Sequence, residues 1–489
     1  MPEARQSFCP ACSRTATQTQ AKAGCPRPPP SSAQPPHTQT AQQIAGQIAA
    51  LGDGNSRVAV IMTNSLQGYL AIMGLQQLGK TIVFINRRLS VAEINYQLAD
   101  AGVSLLLTDD DYTAELAVAQ QVKFSQLPAG QPVTPVAEYP DGFVTSVMYT
   151  SGTTRQPKGV MQTYYNHWMS AMGSALNLGL TSQDAWLAVV PIFHISGFAI
   201  LMRSLIYGMR VVLVEKFDPH HINDLLIHDT ITTMSAVPVM LKQLLADLPA
   251  GVTYNPYFRT LLLGGGPTDA ATLQQAAAHQ LPIIQSYGMT ETASQVVALD
   301  AADAQVKIGS VGKPLFPVSL SIRDAAGQPV APGTSGAVWL KSPTLTPGYL
   351  NQPELLAKNM QAGWFNTEDF GYLDVDGFLY IQGREGDMIS SGGENIFPDE
   401  VEAAYATMPG LQKIVVVGVP DDKWGAVPVA VVMGTDLSAA DLRRFGREQL
   451  AHYKVPQRFY QANTWHVTAS GKVQRRLFAA ELETLTALQ

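Results

Sequence analysis

The chain has 489 residues, of which 46% are hydrophobic and 15% charged, with a net charge of −7 and three cysteines. That length suggests two to four domains at ~100–200 residues each, and the hydrophobic share supports large buried cores. The negative total argues against a general nucleic-acid binder, and three cysteines in so long a chain exclude a disulfide scaffold.

Residues 1–40 differ from the rest. They hold all three cysteines (Cys9, Cys12 and Cys25), 8 of the 32 prolines, one aromatic (Phe8), and no Ile, Leu or Val. One acid and four bases make the segment +3, leaving −10 on the remainder. Such a composition cannot bury enough apolar surface to offset its ordering entropy, so disorder is expected. It has no apolar central run and is not a secretory signal, although its Ser, Thr and Gln content faintly resembles a transit peptide. Cys9, Cys12, Cys25 and His37 allow a zinc reading, but they lack a second close-spaced pair and the hydrophobic residues of a zinc module.

From Ala41 the texture changes. AQQIAGQIAAL places Ile44, Ile48 and Leu51 at helical spacing. VAVIM (Val58 to Met62) reads as a buried strand, followed by a helix through Leu66, Leu70 and Leu75. TIVFIN is the next strand, LSVAEINYQLADAG the next helix, and SLLLTDD a strand again. This alternation predicts a parallel sheet with helices on both faces. The 18 residues Ala185 to Met202 contain no Asp, Glu, Lys or Arg. Pro191, His194, Ser196 and Gly197 interrupt the run, so it reads as strand, turn and helix, not a membrane span. After Gly383 a Gly-rich loop, two short strands and the helix LSAADLRRFGREQLAHYKVP predict a small α+β unit.

Five stretches carry chemistry. In YTSGTTRQPKG (Tyr149 to Gly159), Thr150, Ser151, Gly152, Thr153, Thr154 and Lys158 can wrap phosphate oxygens with amides, hydroxyls and one point charge. The alternative is a Ser/Thr-rich surface turn, and the stretch is not the Gly-x-x-x-x-Gly-Lys-Ser/Thr loop. In QSYGMTET (Gln285 to Thr292), Tyr287 is suited to covering a planar base and Glu291 to holding Mg2+ beside phosphate. The alternative there is a helix N-terminus capped by Thr290. WFNTEDFGYLD offers Asp369 as an acceptor for two ribose hydroxyls. GREGDMISSGGENIFPDE (Gly383 to Glu400) reads as a mobile functional loop. TASGKVQRR puts Lys472 on a small-residue turn, where a lone lysine is ordinarily solvated surface.

Together, in this order, the five stretches resemble the adenylate-forming superfamily of acyl- and aryl-CoA ligases, luciferases and peptide-synthetase adenylation domains. The resemblance runs from about Ala41 to the C-terminus. VIMTNSLQGYLAIMGLQQLGKTIVFINRRLS, LLLGGGP and the stretch from Val160 to Asp218 look most like the o-succinylbenzoate–CoA ligases of menaquinone biosynthesis.

The resemblance implies an α/β fold. A large N-terminal domain (41–384) would hold stacked mixed and parallel sheets with flanking helices, and a small mobile α+β domain (385–489) would cover it. It also implies a ligase using ATP, Mg2+ and coenzyme A on a small-molecule acid in the cytoplasm. No nucleic acid and no stable membrane insertion are expected, and a homodimer is compatible.

The roles implied are as follows. Lys472 sits between carboxylate and α-phosphate, and Thr150 to Thr154 and Lys158 hold the β- and γ-phosphates, with Thr290 beside them. Glu291 binds Mg2+. Gly265, Gly266, Tyr287 and Gly288 form the adenine slot, and Asp369 and Arg384 hold the ribose. His194 is a catalytic and acyl-pocket candidate, otherwise a core histidine. Ser196, Gly264 and Ser286 complete the pocket. Arg203 faces a second substrate carboxylate or lies on the surface. Gly392, Gly393 and Trp424 border coenzyme A, Trp424 being alternatively a packed surface residue. Gly386 is the hinge, where many relatives have Asp or Lys.

Three departures stand out. Arg155 replaces a frequent glycine, which costs roughly 1–2 kcal/mol if that position needs a positive φ. WHVTASGK lacks the usual Leu-Pro-Arg. The relatives' opening elements are replaced by the first 40 residues, which suggests a wrong-frame or misassigned start. Two alternatives keep their place: the same chemistry on a fatty or other aryl acid, and a non-catalytic nucleotide-binding relative.

Overall fold

The structure, a computed structural model, describes residues 38–150, 157–249, 251–266, 268–304, 306–392, 394–467 and 473–489. The expectations for the cysteine-rich start, for Ser151, Gly152, Thr153, Thr154 and Arg155, and for Gly393 and Lys472 lie outside the described residues.

Among the described residues four sheets are formed. The first orders its strands Gln120–Lys123, Leu105–Thr108, Arg57–Ile61, Thr81–Phe84, Val144–Thr150 and Lys158–Thr163. Its first five strands run parallel, and the sixth returns as an antiparallel partner. Leu105–Thr108 and Thr81–Phe84 are buried along their whole length. That is why they read as apolar runs and not as alternations. The helices between them begin where the side chains dictate. Ser65 accepts from the Gly68 amide, and Ser90 and Glu93 make a reciprocal capping box.

The second sheet orders Lys313–Pro314, Ser294–Ala298, Ile283–Met289, Thr260–Leu263, Thr233–Ala236, Ala185–Ala188 and Arg210–Leu213, parallel from Ile283–Met289 onward. The 18-residue uncharged run resolves as the expected strand (Ala185–Ala188), turn and helix (Ile195–Tyr207). That helix joins the two sheets. Phe198, Leu201 and Met202 enter the core of the first sheet, while Ile200 packs with Trp186 and Leu262 of the second.

The third sheet is antiparallel: Ser319–Arg323, Gly336–Lys341, Trp364–Leu373 and Met360–Gln361, with Leu379–Arg384 paired to Trp364–Leu373. The fourth is built only from residues after Arg384, around the long pair Leu411–Asp421 and Gly425–Gly434. It has its own core of Val401, Tyr405, Val416, Leu442 and Phe459. The fold is the expected α/β arrangement, a large sheet-stacked part and a small α+β part. Among the described residues no helix is long and apolar enough to cross a membrane.

Candidate active site

The site gathers at loops from the first three sheets. Thr150 and Lys158 are register partners at the end of the hairpin Val144–Thr150/Lys158–Thr163, so they flank residues 151–156. The Lys158 ammonium lies 5.5 Å from the centre of the Tyr349 ring. The Tyr349 hydroxyl donates to Glu291 Oε1 at 3.1 Å. The Thr346 amide donates to the Glu291 carbonyl at 2.7 Å, and Gln162 Nε2 to the Thr290 carbonyl at 2.9 Å. A cation, a carboxylate and a phenol thus converge beside the hairpin Val144–Thr150/Lys158–Thr163. Burial, then the Glu291 charge, push the Tyr349 hydroxyl far up, so it remains a donor. Glu291 supplies a hard carboxylate oxygen, and no cluster of three metal-ligating side chains exists among the described residues. That donor set suits Mg2+, which is typically bound by one or two carboxylates together with substrate phosphates.

The capping alternative for Thr290 is corrected here. Gln285–Met289 continues the strand Ile283–Met289, and Thr290–Thr292 is a single 3-10 turn following Met289. Pairing on both edges, to Thr260–Leu263 and Ser294–Ala298, overrides the local helix-start signal.

The base and ribose candidates form one hydrogen-bonded unit. The Tyr287 hydroxyl donates to Asp369 Oδ2 at 2.5 Å, and Arg384 Nε to Asp369 Oδ1 at 2.8 Å. Asp369 and Arg384 are cross-strand partners, which fixes their approach. Burial and then Asp369 push the Tyr287 hydroxyl well up. Burial opposes the Arg384 charge, but Asp369, Tyr287, Glu291 and Glu368 together hold its pKa above the usual value. Gly264, Gly265 and Gly266 follow the strand Thr260–Leu263. A Cβ on Gly264 would sit 2.9 Å from Ser286 Oγ, and Gly265 has φ +85°, so neither position takes a side chain without strain. Ser286 Oγ donates to the Leu263 carbonyl at 3.1 Å. Gly288 lies at a register shift, pressed against Ser294 and Gln295.

His194 is the residue before helix Ile195–Tyr207, half-buried, its ring 4.7 Å from that of Phe193. Ser196 is exposed at the same helix start. Arg203 is only 2% exposed, which removes the surface alternative. Its Nη2 donates to Ser294 Oγ at 3.2 Å and Gln295 Oε1 at 2.8 Å, and the guanidinium lies 5.3 Å from the Trp186 ring. Ser294 and Gln295 are the register partners of Met289 and Gly288, so this cation abuts the strand Ile283–Met289. Among the described residues no carboxylate pairs with it, and its buried Nε has no hydrogen-bond partner.

Beyond Arg384, the turn Glu385–Asp387 contains Gly386, around which a Cβ would meet nothing within 4 Å. The Gly392 amide donates to the Trp424 carbonyl at 2.8 Å, and a Cβ there would be 2.7 Å from the indole ring. Trp424 is 44% exposed, and the Lys423 ammonium lies 4.6 Å from its ring centre. Val467 and Val473 form an isolated antiparallel bridge, so they flank residues 468–472. Arg475 follows, bonded to Glu402 at 2.6 Å and to Asp399, with Asp387 at 3.7 Å.

Two family models match the chain, an AMP-binding enzyme domain over residues 38–350 and its C-terminal domain over 400–472. The chain belongs to the AMP-binding enzyme family. The 2-succinylbenzoate–CoA ligase of Listeria monocytogenes serotype 4b (strain F2365) is 44% identical, covering 90% of this chain and 92% of its own. The o-succinylbenzoate CoA synthetase of Bacillus subtilis, solved with the acyl-adenylate intermediate, is 37% identical with TM-score 0.85, covering 89% of this chain and 91% of that one. Its complex with ATP and magnesium ion also gives 0.85, covering 89% and 92%. A double mutant of the same protein with a product analogue gives 0.70, at 37% identity and covering 92% and 93%. This AMP-binding enzyme therefore has an arrangement nearer to the adenylate and ATP complexes.

Sequence reasoning missed Tyr349, whose only local signal is a Pro-Gly turn in TPGYL.

Proposed function

We propose that this AMP-binding enzyme activates o-succinylbenzoate with ATP and transfers the acyl group to coenzyme A. A substrate carboxylate oxygen attacks the α-phosphorus, forming the acyl-adenylate and releasing pyrophosphate. The coenzyme A thiol then attacks the acyl carbon, the carbon–oxygen bond to AMP breaks, and the thiol proton goes to solvent.

The protein's task is to position anions and neutralise charge. Tyr287, Gly265, Gly266 and Gly288 would bound the adenine, and Asp369 with Arg384 the ribose. Lys158, Thr150 and residues 151–154 would hold the outer phosphates, with Thr290 beside them. Glu291 and Tyr349 would hold and orient Mg2+, which neutralises phosphate charge when bound. Lys472 would stabilise charge between carboxylate and α-phosphate. His194, Ser196, Gly264 and Ser286 would line the acyl pocket. Rotation near Gly386 would then bring the Gly392–Gly393 loop and Trp424 to coenzyme A.

The observation that carries the substrate choice is Arg203, a buried cation with no acid partner among the described residues, beside the nucleotide strand. A dicarboxylic aryl acid provides one carboxylate to react and a second to meet it. ATP–pyrophosphate exchange with a panel of acids tests this. Exchange with o-succinylbenzoate is expected; exchange with fatty acids or benzoate alone would contradict it.

Two subsidiary parts of the proposal follow. A chain with no cysteine from Ala41 onward, acting on a thiol substrate, fits the reducing cytoplasm. A homodimer is the oligomer to look for by sedimentation.

A further inference from the structure

Asn64 follows the strand Arg57–Ile61 of the first sheet and is 3% exposed. Its side chain reaches the second sheet with both N–H groups and its oxygen engaged. Nδ2 donates to the carbonyls of Ala188 at 3.1 Å and Val190 at 3.0 Å, and Oδ1 accepts from the Ile192 amide at 2.9 Å. All three partners lie within five residues, directly before His194 and the helix carrying Ser196.

The turn has little freedom beyond that clamp. The His194 amide donates to the Pro191 carbonyl at 3.0 Å, and the amides of Gly197 and Phe198 both return to the His194 carbonyl at 3.0 Å. A Cβ on Gly197 would lie 2.3 Å from the Pro191 carbonyl oxygen. Asn64 is itself held from behind. Asp109, 7% exposed, accepts from the Thr63 amide at 2.5 Å and the Ser65 hydroxyl at 3.3 Å, and pairs with Arg87 at 3.3 Å.

We infer that Asn64 is a positioning residue for the acyl pocket: it fixes the turn 188–192 and, through it, the placement of His194 and Ser196. This rests on the reading of those two residues as pocket residues. Only a carboxamide offers two donors and one acceptor on so short a stem. An aspartate would turn a carboxylate oxygen toward two carbonyls, and buried groups left unpaired shift until water reaches them.

The test is pyrophosphate exchange by the full chain with o-succinylbenzoate and ATP varied in turn. For Asn64→Asp the KM for the acid should rise roughly 10- to 100-fold, the range that small misplacements of a binding group produce. The KM for ATP should stay within about twofold, because the Tyr287–Asp369–Arg384 unit lies on other strands. If that variant fails to fold, Asn64→Ser, which keeps one donor and one acceptor, and Asp109→Asn carry the same comparison with smaller acid-specific shifts.

A purely architectural role would lower the active fraction, reducing kcat while leaving both KM values at wild-type levels. That result in all variants overturns the inference. Wild-type exchange with o-succinylbenzoate is the control that separates the two claims. Its absence refutes the proposed function and this inference with it; its presence with unchanged acid KM in the variants refutes this inference alone.

Discussion

Replacing Arg203 by methionine should separate binding from stability. The guanidinium is buried, and desolvating a cation costs several kcal/mol. Two bonds to Ser294 and Gln295, at ~1.5–3 kcal/mol each for a charged donor, and the Trp186 face, at up to ~2 kcal/mol, offset that cost. The free protein is therefore near balance at this side chain. Methionine keeps most of the apolar stem and leaves no orphan acceptors. Ser294 Oγ still donates to Gln295 Oε1 at 2.8 Å, and Gln295 Nε2 to Ser174 Oγ at 3.0 Å. Folding stability should change by no more than ~1 kcal/mol, a Tm shift of about 2–4 °C or less. Acid binding should lose a charge-assisted contact of ~2–3 kcal/mol, raising the KM for o-succinylbenzoate about 30- to 150-fold with the KM for ATP unchanged. Exchange kinetics and thermal melts read both quantities. A Tm drop of many degrees with an unchanged acid KM would refute the reasoning and make Arg203 a packing residue.

Other outcomes follow from the same geometry. Asp369→Asn removes the charge shared by Tyr287 and Arg384 and one of their two acceptor oxygens, and the KM for ATP should rise at least tenfold while that for the acid holds; the reverse pattern would contradict the ribose role. Lys472→Ala should lower adenylation by ~10²–10³ while thioester formation from supplied acyl-adenylate persists, measured by single-turnover kinetics. Burial, then the Arg203 charge, hold the His167 imidazole down at about 3 against an ordinary 6.5. The unfolded chain then binds more protons between those values. The stabilisation is fully present above pH 6.5 and is lost as pH falls toward 3, by roughly 1–2 kcal/mol between pH 6.5 and 5. Urea midpoints at pH 7.5 and 5 should show that slope in the wild type and a flatter one in His167→Gln; equal slopes would count against a buried neutral imidazole.

Much of the fold was legible because its signals are local. Apolar runs such as TIVF and LLLT mark strands covered on both faces, and Ser90 with Glu93 marks a helix start. Tyr287, Glu291, Asp369 and Arg384 could be picked out as candidates for a similar reason: each stands in a short stretch dense in donors or acceptors. What escaped depends on distant partners. Nothing in LMRSLIY says which way Arg203 points; strand Ser294–Ala298, some 90 residues on, decides it. Tyr349 gains its meaning only where Lys158 and Glu291 arrive from two other sheets. Asn64 looks like any loop asparagine until Ala188, Val190 and Ile192 are seen to surround its amide. QSYGMTET carries a plausible helix start, and sheet pairing on both edges makes it a strand and a turn instead.

The proposed activity makes an o-succinylbenzoyl adenylate and passes its acyl group to coenzyme A. Mass spectrometry of one reaction tests it most directly. Enzyme, ATP, Mg2+ and o-succinylbenzoate without coenzyme A should accumulate the acyl-adenylate on the protein. Adding coenzyme A should convert it to thioester and AMP. No adenylate from this acid, beside adenylate from a fatty or simple benzoic acid, would contradict the account.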